Sequence, residues 1–566
     1  MNKIIIYQIL VRLFGNKKTE MIYSGNINEN GVGKMNDVTE KALSELYKMG
    51  ISHIWLTGIL EHATTTAYPN IPAAPPEIVK GRAGSPYAIC DYYDVAPDIA
   101  VSVENRMQEF ENLMTRIHRT GLKVLIDFVP NHVSRNYHSD NAPDNVPDFG
   151  AHDTPTLPFS PNNNFYYISE KTLHLPENIH PFGKQIPFYS ENISFYEYPA
   201  KATGNDCFHE TPNVNDWYDT VKLNYGVDYL NEKKQHFYPV PDTWNKMVDI
   251  LLFWRKKGVD GFRCDMAEMV PVEFWQYAIQ KVKTDFPETI FIAEIYDETR
   301  YQKYVFSGGF DFLYDKVGFY DTMRNIITSD TSTHAITECW KQLNGLDAYM
   351  LRFLENHDEQ RIASRFFAQN PWKAIPAMML AATMNTNPVM LYFGQEIGEN
   401  ADNATGFSDN DGRTSIFDYC HLPHYQRWTN NGAFDGALLT ENEKALRTLY
   451  SKILQLCQSK ESIKTGAFYD LMWANPHITR QYFYLRYNEN ETLLFCLNFD
   501  QQPVEINIII PSNVFNTINV DEEFIFKPLF GNFTEIYCNK TADKSLEIQI
   551  TLKKYQAEVF QLINQF

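Results

Sequence analysis

Four segments of the chain place charged or imidazole side chains directly after a run of apolar residues. They are DFVPNH (127–132), GFRCD (261–265), AEIY (293–296) and ENHDE (355–359). A charged group buried at the end of an apolar segment costs free energy unless it is paired or used in chemistry. These four segments are therefore the first candidates for a functional site.

Arg263 and Asp265 are two residues apart, so on an extended strand their side chains face the same side. A neighbouring guanidinium lowers the pKa of a carboxyl group and favours its ionised form, which suits a nucleophile. Glu294 follows apolar residues, and desolvation would raise its pKa and keep a proton available, which suits a general acid. Two such carboxyl groups about 5 to 5.5 Å apart would cleave a glycosidic bond by double displacement, with retained configuration.

Three further side chains fit this chemistry. Asp358 would stabilise positive charge that develops on a sugar ring, and His132 and His357 could donate hydrogen bonds to sugar hydroxyl groups. Each has a structural alternative when taken singly, because a strand-end carboxylate is often an ion pair or a helix cap. Arg263 and Asp265 alone could be a salt bridge in a barrel. The joint occurrence of all four segments on separate strands favours the chemical interpretation.

The segments lie in a regular alternation of strands and helices that runs to about residue 460. ISHIWLTGIL, KVLIDFVP, VDGFRCDM and TIFIAEIY read as strands, with amphipathic helices between such runs. About eight strand–helix units favour an α/β fold with a closed (β/α)8 TIM barrel. Active sites of such barrels lie at the C-terminal ends of the strands, where the polar segments are found.

Two regions depart from this alternation. Residues 134–241 are rich in Asn, Pro, His and Tyr, and they are too long for a connecting loop, which predicts an inserted subdomain after the third strand. Residues 463–566 contain short β-rich runs separated by turn residues, which predicts a C-terminal antiparallel β-sandwich. Residues 1–133 and 242–462 would then form the catalytic barrel, and the insertion would wall its cleft.

Composition excludes several classes of partner. The 566 residues carry a formal net charge of -20, which disfavours nucleic acid and anionic membrane surfaces. Eight scattered cysteines form no disulfide framework or zinc-ligand spacing, and no run reaches the roughly 18 apolar residues of a membrane span. The N-terminal run IIIYQILVRLFG is interrupted by polar residues and favours a buried strand over a signal peptide. A cytoplasmic location is expected, and oligomeric state is left open.

DxVxNH, GFRxD, the strand-borne glutamate and NHD, in this order, closely resemble the signature regions of the α-amylase family, glycoside hydrolase family 13. The resemblance covers nearly the whole chain. It implies Asp265 as nucleophile, Glu294 as acid/base and Asp358 as transition-state stabiliser. It also implies a set of residues around the sugar at the cleavage point, namely Tyr87 (in SPYAICDYYDV), Asp127, His132, Arg263 and His357.

Departures from the family pattern concern the leaving-group side and the metal. Many α-amylases have a Lys-His pair shortly after the nucleophile, which contacts the leaving sugar and helps to hold calcium, and this chain has Glu268 and Met269 there. Asn131 matches the family's calcium-ligand asparagine, although a loop-capping role is an equal alternative. The chemistry itself needs no cofactor, and a structural calcium ion at Asn131 is expected as the alternative to the capping role.

The leading prediction is a retaining glycoside hydrolase acting on α-1,4-glucosidic bonds of maltodextrin or starch-like glucans. The alternative is an α-glucan glycosyltransferase, such as a maltosyl- or glucanotransferase, which shares the first half-reaction. A more remote alternative is a non-catalytic carbohydrate-binding relative. Because sugar rings pack on aromatic side chains, Trp217, Tyr218 and Tyr225 in the insertion are candidate sugar platforms.

Overall fold

The fold of the computed structural model is built around eight short parallel strands. The structure describes residues 3–180, 195–402, 406–407, 410–518, 520–530, 533–539 and 545–564. The barrel strands are β1 (Ile5–Leu10), β2 (His53–Thr57), β3 (Lys123–Phe128), β4 (Gly261–Cys264), β5 (Ile290–Ala293), β6 (Phe312–Tyr314), β7 (Met350–Leu351) and β8 (Val389–Tyr392).

These strands close into a ring. They pair in the order β7-β6-β5-β4-β3-β2-β1-β8, and every pair is parallel. A parallel bridge between Arg352, just beyond β7, and Val389 on β8 joins the two ends of the sheet. The predicted (β/α)8 barrel is confirmed. Its interior is filled by a layered cluster of buried side chains: Ile6, Trp55, Leu125, Ile292, Tyr314, Leu351, Phe353 and Met390.

Helices lie between successive strands of the barrel and after its last strand. The longer ones are α1 (Glu40–Met49), α2 (Arg106–Arg119), α3 (Asp242–Lys256), α4 (Val272–Asp285), α5 (Asp321–Thr328), α6 (His334–Gln342), α7 (Ile375–Thr383) and α8 (Glu441–Ser459). Shorter helical segments are Val11–Phe14, Ile27–Asn30, Lys303–Gly308, Lys316–Tyr320, Pro423–Thr429 and Glu461–Lys464.

Helix α1 illustrates how the sequence sets these boundaries. The Thr39 hydroxyl accepts a hydrogen bond from the Ala42 amide at the first turn, and Gly50 ends the helix with φ of 108°. Glycine adopts this left-handed conformation without a Cβ clash, so it stops the helix. The apolar residues of α1, including Leu43 and Leu46, are buried in the core.

The residues that follow β3 are irregular, and the described part of this region (up to 180 and from 195) contains three small antiparallel pairs. Tyr167–Ile168 pairs with Ala200–Lys201, and Val227–Asp228 pairs with Lys234–Gln235. His132–Ser134, next to the end of β3, pairs with Thr220–Lys222 near the end of the region. This last pair ties the inserted residues to the mouth of the barrel. A further small pair, Leu60–His62 with Ile89–Val95, lies after β2.

The C-terminal part is an antiparallel β domain, as predicted. Its strands are β9 (Ala467–Asp470), β10 (Gln481–Tyr487), β11 (Thr492–Asn498), β12 (Val504–Ile510), β13 (Glu523–Pro528), β14 (Ile536–Asn539), β15 (Leu546–Leu552) and β16 (Ala557–Asn564). Six strands pair in the order β9-β10-β11-β16-β13-β14, and β12 pairs with β15. Arg486 on β10 is fully buried and donates to the carbonyl groups of Met384 and Ser462, which lie beyond α7 and α8.

The cysteine side chains are packed inside the fold. All eight cysteines are free thiols with buried side chains, so no disulfide framework supports the fold. Within the residues that the structure describes, no helix combines the length and the apolar character needed to cross a lipid bilayer.

Candidate active site

The four polar segments meet at the C-terminal mouth of the barrel. Arg263 on β4 is in register with Asp127 on β3, so the two side chains are at the same level of the barrel. The amide of Asp265 donates to the carbonyl of Phe128 (2.9 Å), and the amide of Glu294 donates to the carbonyl of Cys264 (3.1 Å). These bonds extend the sheet by one step beyond β4 and β5. They hold the two carboxyl groups side by side on adjacent strands.

One cavity of about 230 Å³ collects the three predicted catalytic acids, Asp265, Glu294 and Asp358. Tyr87 and His132 also line it. Its remaining lining residues are Lys80, Ser85, Trp217, Asp219, Thr220, Met266, Tyr296, Phe407, Ile416 and Phe417. The acids come from three different strand ends and are far apart in the chain, so the fold itself brings them together.

Arg263 links two of these acids. Its side chain has no solvent exposure, and Nη1 lies 2.7 Å from Asp265 Oδ1 while Nη2 lies 2.7 Å from Glu294 Oε1. Nη1 is also 3.6 Å from Asp127 Oδ1, and Nε donates to the Tyr314 hydroxyl (3.1 Å). The guanidinium is a rigid fork, so it fixes the spacing between the two carboxyl groups that it contacts.

Asp127, Tyr87 and His357 form a buried network beside Arg263. The Tyr87 hydroxyl lies 2.5 Å from His357 Nε2 and 3.3 Å from Asp127 Oδ1, and the indole of Trp55 donates to Asp127 Oδ2 (3.1 Å). The rings of Tyr87 and His357 stack with centroids 5.2 Å apart. Gln8 on β1 contacts His357 Nδ1 at 2.8 Å. The residues expected around the sugar thus hold each other in place.

Asp358 is the most accessible of the three acids. Its side chain is 34% exposed, and Oδ2 lies 3.1 Å from His357 Nε2. The Asn356 side chain accepts hydrogen bonds from the amides of Asp358 and Glu359 (both 2.9 Å), which fixes the turn. Arg413 Nε donates to the Asp358 carbonyl (2.6 Å). The carboxylate is therefore anchored through its backbone and remains open to the cavity.

Burial and neighbouring charges raise the pKa of Glu294 and of Asp265 and lower that of Asp358. Burial raises the pKa of Glu294, and Asp265 and Asp358 raise it further, against the opposing effect of Arg263. Burial also raises the pKa of Asp265 and outweighs Arg263, whereas the sequence predicted a lowered pKa. For Asp358, burial is outweighed by His357, Arg263 and Arg413, which together lower its pKa. Glu294 thus has the environment of a proton donor.

His132 is the remaining imidazole of the site. Burial lowers the pKa of His132 to about 4, so its ring is neutral at pH 7. The ring contacts the Trp217 ring edge-on, with centroids 5.2 Å apart. Because a neutral imidazole carries one N–H group, His132 can donate a single hydrogen bond from its ring.

The aromatic candidates of the insertion divide into two groups. Trp217 is partly exposed and lines the cavity, so it stays a candidate sugar platform. Tyr218 is buried outside the cavity lining, and Tyr225 is buried with its hydroxyl donating to the Pro130 carbonyl (2.7 Å). Tyr225 therefore stabilises the turn after β3, and the expectation that it contacts sugar is wrong.

Several cavity residues were not predicted from the sequence. The Tyr296 hydroxyl donates to Glu294 Oε1 (2.7 Å), and the Met266 amide donates to Glu294 Oε2 (2.8 Å). Met266 has φ of 43°, a left-handed conformation that non-glycine residues rarely adopt. Lys80 lies 3.0 Å from Asp219 across the cavity wall. Tyr296 could have been found, since it follows Glu294 by two residues in an extended segment, but the others carry no sequence signal.

The surroundings of Asn131 do not fit a calcium ion. Asn131 Oδ1 accepts a hydrogen bond from the Lys222 ammonium (2.9 Å), and Nδ2 donates to the Gly204 carbonyl (2.7 Å). Lys222 is almost fully buried and also contacts Asp206 Oδ1 at 2.5 Å. Calcium takes six to eight oxygen ligands, and an ammonium group at this oxygen would repel a second cation.

Comparison with known proteins agrees with this geometry. The alpha-amylase catalytic-domain family model matches residues 21–421. Alpha-amylase 3 of Dictyoglomus thermophilum is 23% identical over 482 residues, 82% of this chain and 78% of that protein. The amino acid transporter heavy chain SLC3A1 of Homo sapiens is 26% identical over 300 residues, 53% of this chain and 33% of that protein.

A solved structure shows the same fold over the full length. The alpha-amylase of Geobacillus thermoleovorans, crystallised with acarbose, has a TM-score of 0.62 and 18% identity, with 100% of this chain and 99% of that chain covered. The family model spans well over half of the sequence and includes all four polar segments. The chain therefore belongs to the alpha-amylase family of glycoside hydrolases.

Proposed function

We propose that this enzyme hydrolyses α-1,4-glucosidic bonds of maltodextrin or starch-like glucans by double displacement, with retained configuration. The observation that carries the proposal is the position of Arg263, whose two terminal nitrogens each lie 2.7 Å from a carboxyl oxygen, one on Asp265 and one on Glu294. A nucleophile and a proton donor are thereby held next to each other at one cavity. Retaining glycosidases have such closely spaced pairs.

In the first half-reaction, Asp265 attacks the anomeric carbon while Glu294 transfers its proton to the glycosidic oxygen. The bond to the leaving sugar breaks, that sugar departs with the proton, and a covalent glycosyl ester forms on Asp265. In the second half-reaction, the Glu294 carboxylate removes a proton from water, whose oxygen attacks the anomeric carbon and releases Asp265. Glu294 thus acts first as acid and then as base.

The remaining residues support the charge changes of these steps. The lowered pKa of Asp358 keeps this carboxylate negative beside the cavity, where it can stabilise positive charge on the sugar ring. Arg263, Asp127, Tyr87 and His357 are buried and mutually bonded. Groups held in this way need little reorganisation when charge develops.

Glycosyl transfer is the alternative within the same chemistry. The first half-reaction is identical, and a sugar hydroxyl group takes the place of water in the second. A non-catalytic role is the more remote alternative. One relative of comparable sequence identity is named as an amino acid transporter heavy chain, so this degree of identity does not by itself establish catalysis. The retention of all three acids in one cavity favours catalysis here.

Product analysis on maltoheptaose tests the proposal. Wild-type enzyme should release shorter maltooligosaccharides that first appear with the α configuration, as followed by NMR. Asp265→Asn and Glu294→Gln should each lower kcat by at least about 1,000-fold. Asp249→Asn changes an exposed carboxylate on α3 and should retain wild-type kcat. Products longer than the substrate would indicate transfer, and unchanged turnover in Asp265→Asn would refute the mechanism.

A further inference from the structure

Glu268, at a position where the sequence departs from the family pattern, connects two catalytic segments. It lies in the 3-10 turn Ala267–Met269, directly after Asp265 and Met266. Its carboxylate accepts hydrogen bonds from the amides of Asp297 (3.0 Å) and Tyr296 (3.3 Å). Its side chain therefore fixes the backbone of the segment that follows Glu294.

The other contacts of the turn reinforce this connection. Arg300 Nη1 donates to the Glu268 carbonyl (2.9 Å), so Glu268 is bonded through both its side chain and its backbone. The Ala267 amide donates to the Glu294 carbonyl (3.1 Å). The turn after the nucleophile and the segment after β5 thus form one hydrogen-bonded unit.

Tyr296 extends the unit to the proton donor. Its hydroxyl donates to Glu294 Oε1 at 2.7 Å, and the Met266 amide donates to Glu294 Oε2 at 2.8 Å. Each carboxyl oxygen of Glu294 therefore has a donor from this unit. The position of the Tyr296 hydroxyl depends on its backbone, and its backbone amide is bonded to Glu268.

We propose that Glu268 and Tyr296 are positioning residues for Glu294, with the Glu268 carboxylate holding the backbone at 296–297 so that the Tyr296 hydroxyl meets Glu294 Oε1. The proposal rests on the proposed role of Glu294 as acid/base. Glu268 acts through the backbone and Tyr296 acts on the carboxyl group directly. Both residues should therefore affect Glu294 along one path of contacts, which runs from the Glu268 carboxylate through the backbone at 296–297 to the Tyr296 hydroxyl.

This arrangement has a consequence for protonation. A hydroxyl group that donates to a carboxylate stabilises the ionised form, so Tyr296 lowers the pKa of Glu294 against the raising effect of burial. Loss of this bond should raise the pKa of Glu294 and move the alkaline limb of activity to higher pH. The other ionisable groups that act on Glu294 are unchanged by this loss: Arg263, Asp265, Tyr314 and Asp358.

The pH profile of kcat/KM tests the path. Tyr296→Phe should move the alkaline limb upwards by about 0.5 to 1 pH unit, the worth of one such hydrogen bond. Glu268→Ala should move it in the same direction by a similar amount, because Tyr296 loses its anchor. The double variant Glu268→Ala/Tyr296→Phe should show no more than the shift of Tyr296→Phe, since both changes break one path.

Two further variants serve as controls. Glu268→Gln keeps an acceptor oxygen and should retain a nearly wild-type pH profile. It keeps the proposal testable if Glu268→Ala does not fold. Glu298→Ala removes an exposed carboxylate two residues beyond Tyr296 and should leave the profile unchanged.

An unshifted profile in Glu268→Ala, or a double-variant shift equal to the sum of the single shifts, would overturn the positioning proposal. Glu294→Gln separates this failure from failure of the proposed function. If Glu294→Gln is inactive and the profiles do not shift, the positioning proposal alone is wrong. If Glu294→Gln keeps full activity, the acid/base assignment is wrong.

Discussion

The ammonium group of Lys222 lies 2.9 Å from Asn131 Oδ1, on the neighbouring strand of the pair that joins the barrel mouth to the inserted residues. The same ammonium contacts Asp206, and Lys222 is 2% exposed. A single positive charge thus bridges an oxygen after β3 and a carboxylate of the insertion. A divalent cation bound by oxygen ligands could make the same cross-link, but here the chain supplies its own cation.

This bridge predicts that no calcium ion is needed at Asn131 to join the inserted residues to the barrel mouth. Dialysis against a chelator should leave both kcat/KM on maltoheptaose and the melting temperature within error of the untreated enzyme. Lys222→Ala should lower the free energy of unfolding by about 2 to 3 kcal/mol, because the buried Asn131 oxygen loses its charged partner. Lys201→Ala, which removes a more exposed lysine of the insertion, is the control. A chelator-induced loss of activity that calcium restores would contradict the prediction.

Arg263 should be intolerant of replacement by lysine. A lysine ammonium is a compact charge that cannot lie against Asp265 and Glu294 with two separate nitrogens. Arg263→Lys should therefore lower kcat/KM by about 100-fold or more while circular dichroism remains that of the folded enzyme. Arg119→Lys, at an exposed position of α2, should be neutral. A kcat/KM of Arg263→Lys within tenfold of wild type would show that the fork geometry is unimportant.

Much of the barrel could be predicted from the sequence because its strands are buried on both faces and read as continuous apolar runs. Four of these runs end in the polar segments. Arg263 lies on β4 and Asp265 directly follows it, so the barrel rule places both at the catalytic mouth. The resemblance to the α-amylase signature segments added the roles of the individual side chains.

Other features depend on three-dimensional contacts that no local pattern reveals. Lys222 is 91 residues from Asn131, so the cation at that oxygen was not predictable from the DFVPNH segment. The pKa direction of Asp265 was misjudged because the guanidinium was visible in the sequence while the depth of burial was not. Tyr225 was misread for the same reason, since a buried aromatic and a sugar platform have the same sequence signature.

Glu61 should make the stability of the fold depend on pH. Burial raises the pKa of Glu61 to about 8, and Asp94 and Asp91 add to the effect. The folded state therefore binds the Glu61 proton more tightly than the unfolded chain does. The stabilisation of the fold by this proton is complete below the ordinary pKa of a glutamate. It is lost as the pH rises through that value towards 8.

The neutral variant Glu61→Gln isolates this contribution. The melting temperature of Glu61→Gln minus that of wild type should be about 3 to 6 °C larger at pH 9 than at pH 5. Scanning calorimetry of both proteins at the two pH values is the measurement. The exposed Glu489→Gln, in the C-terminal domain, should show no such difference. If the melting temperatures of Glu61→Gln and wild type differ by the same amount at both pH values, Glu61 does not titrate in this range.

Trp217 should contribute to substrate binding more than to the chemical step. Its ring lines the cavity and packs edge-on against His132, so its exposed face is available to the apolar face of a sugar. This contact does not depend on the charge that develops in the reaction, so it stabilises the bound substrate and the transition state equally. Trp217→Ala should therefore raise KM about tenfold and leave kcat within about threefold. Trp217→Phe should restore most of the affinity, because a smaller aromatic face remains. Tyr238→Ala, which removes a 98% exposed ring of the same insertion, should leave KM unchanged. A fall in kcat at constant KM would instead place Trp217 in the chemical step.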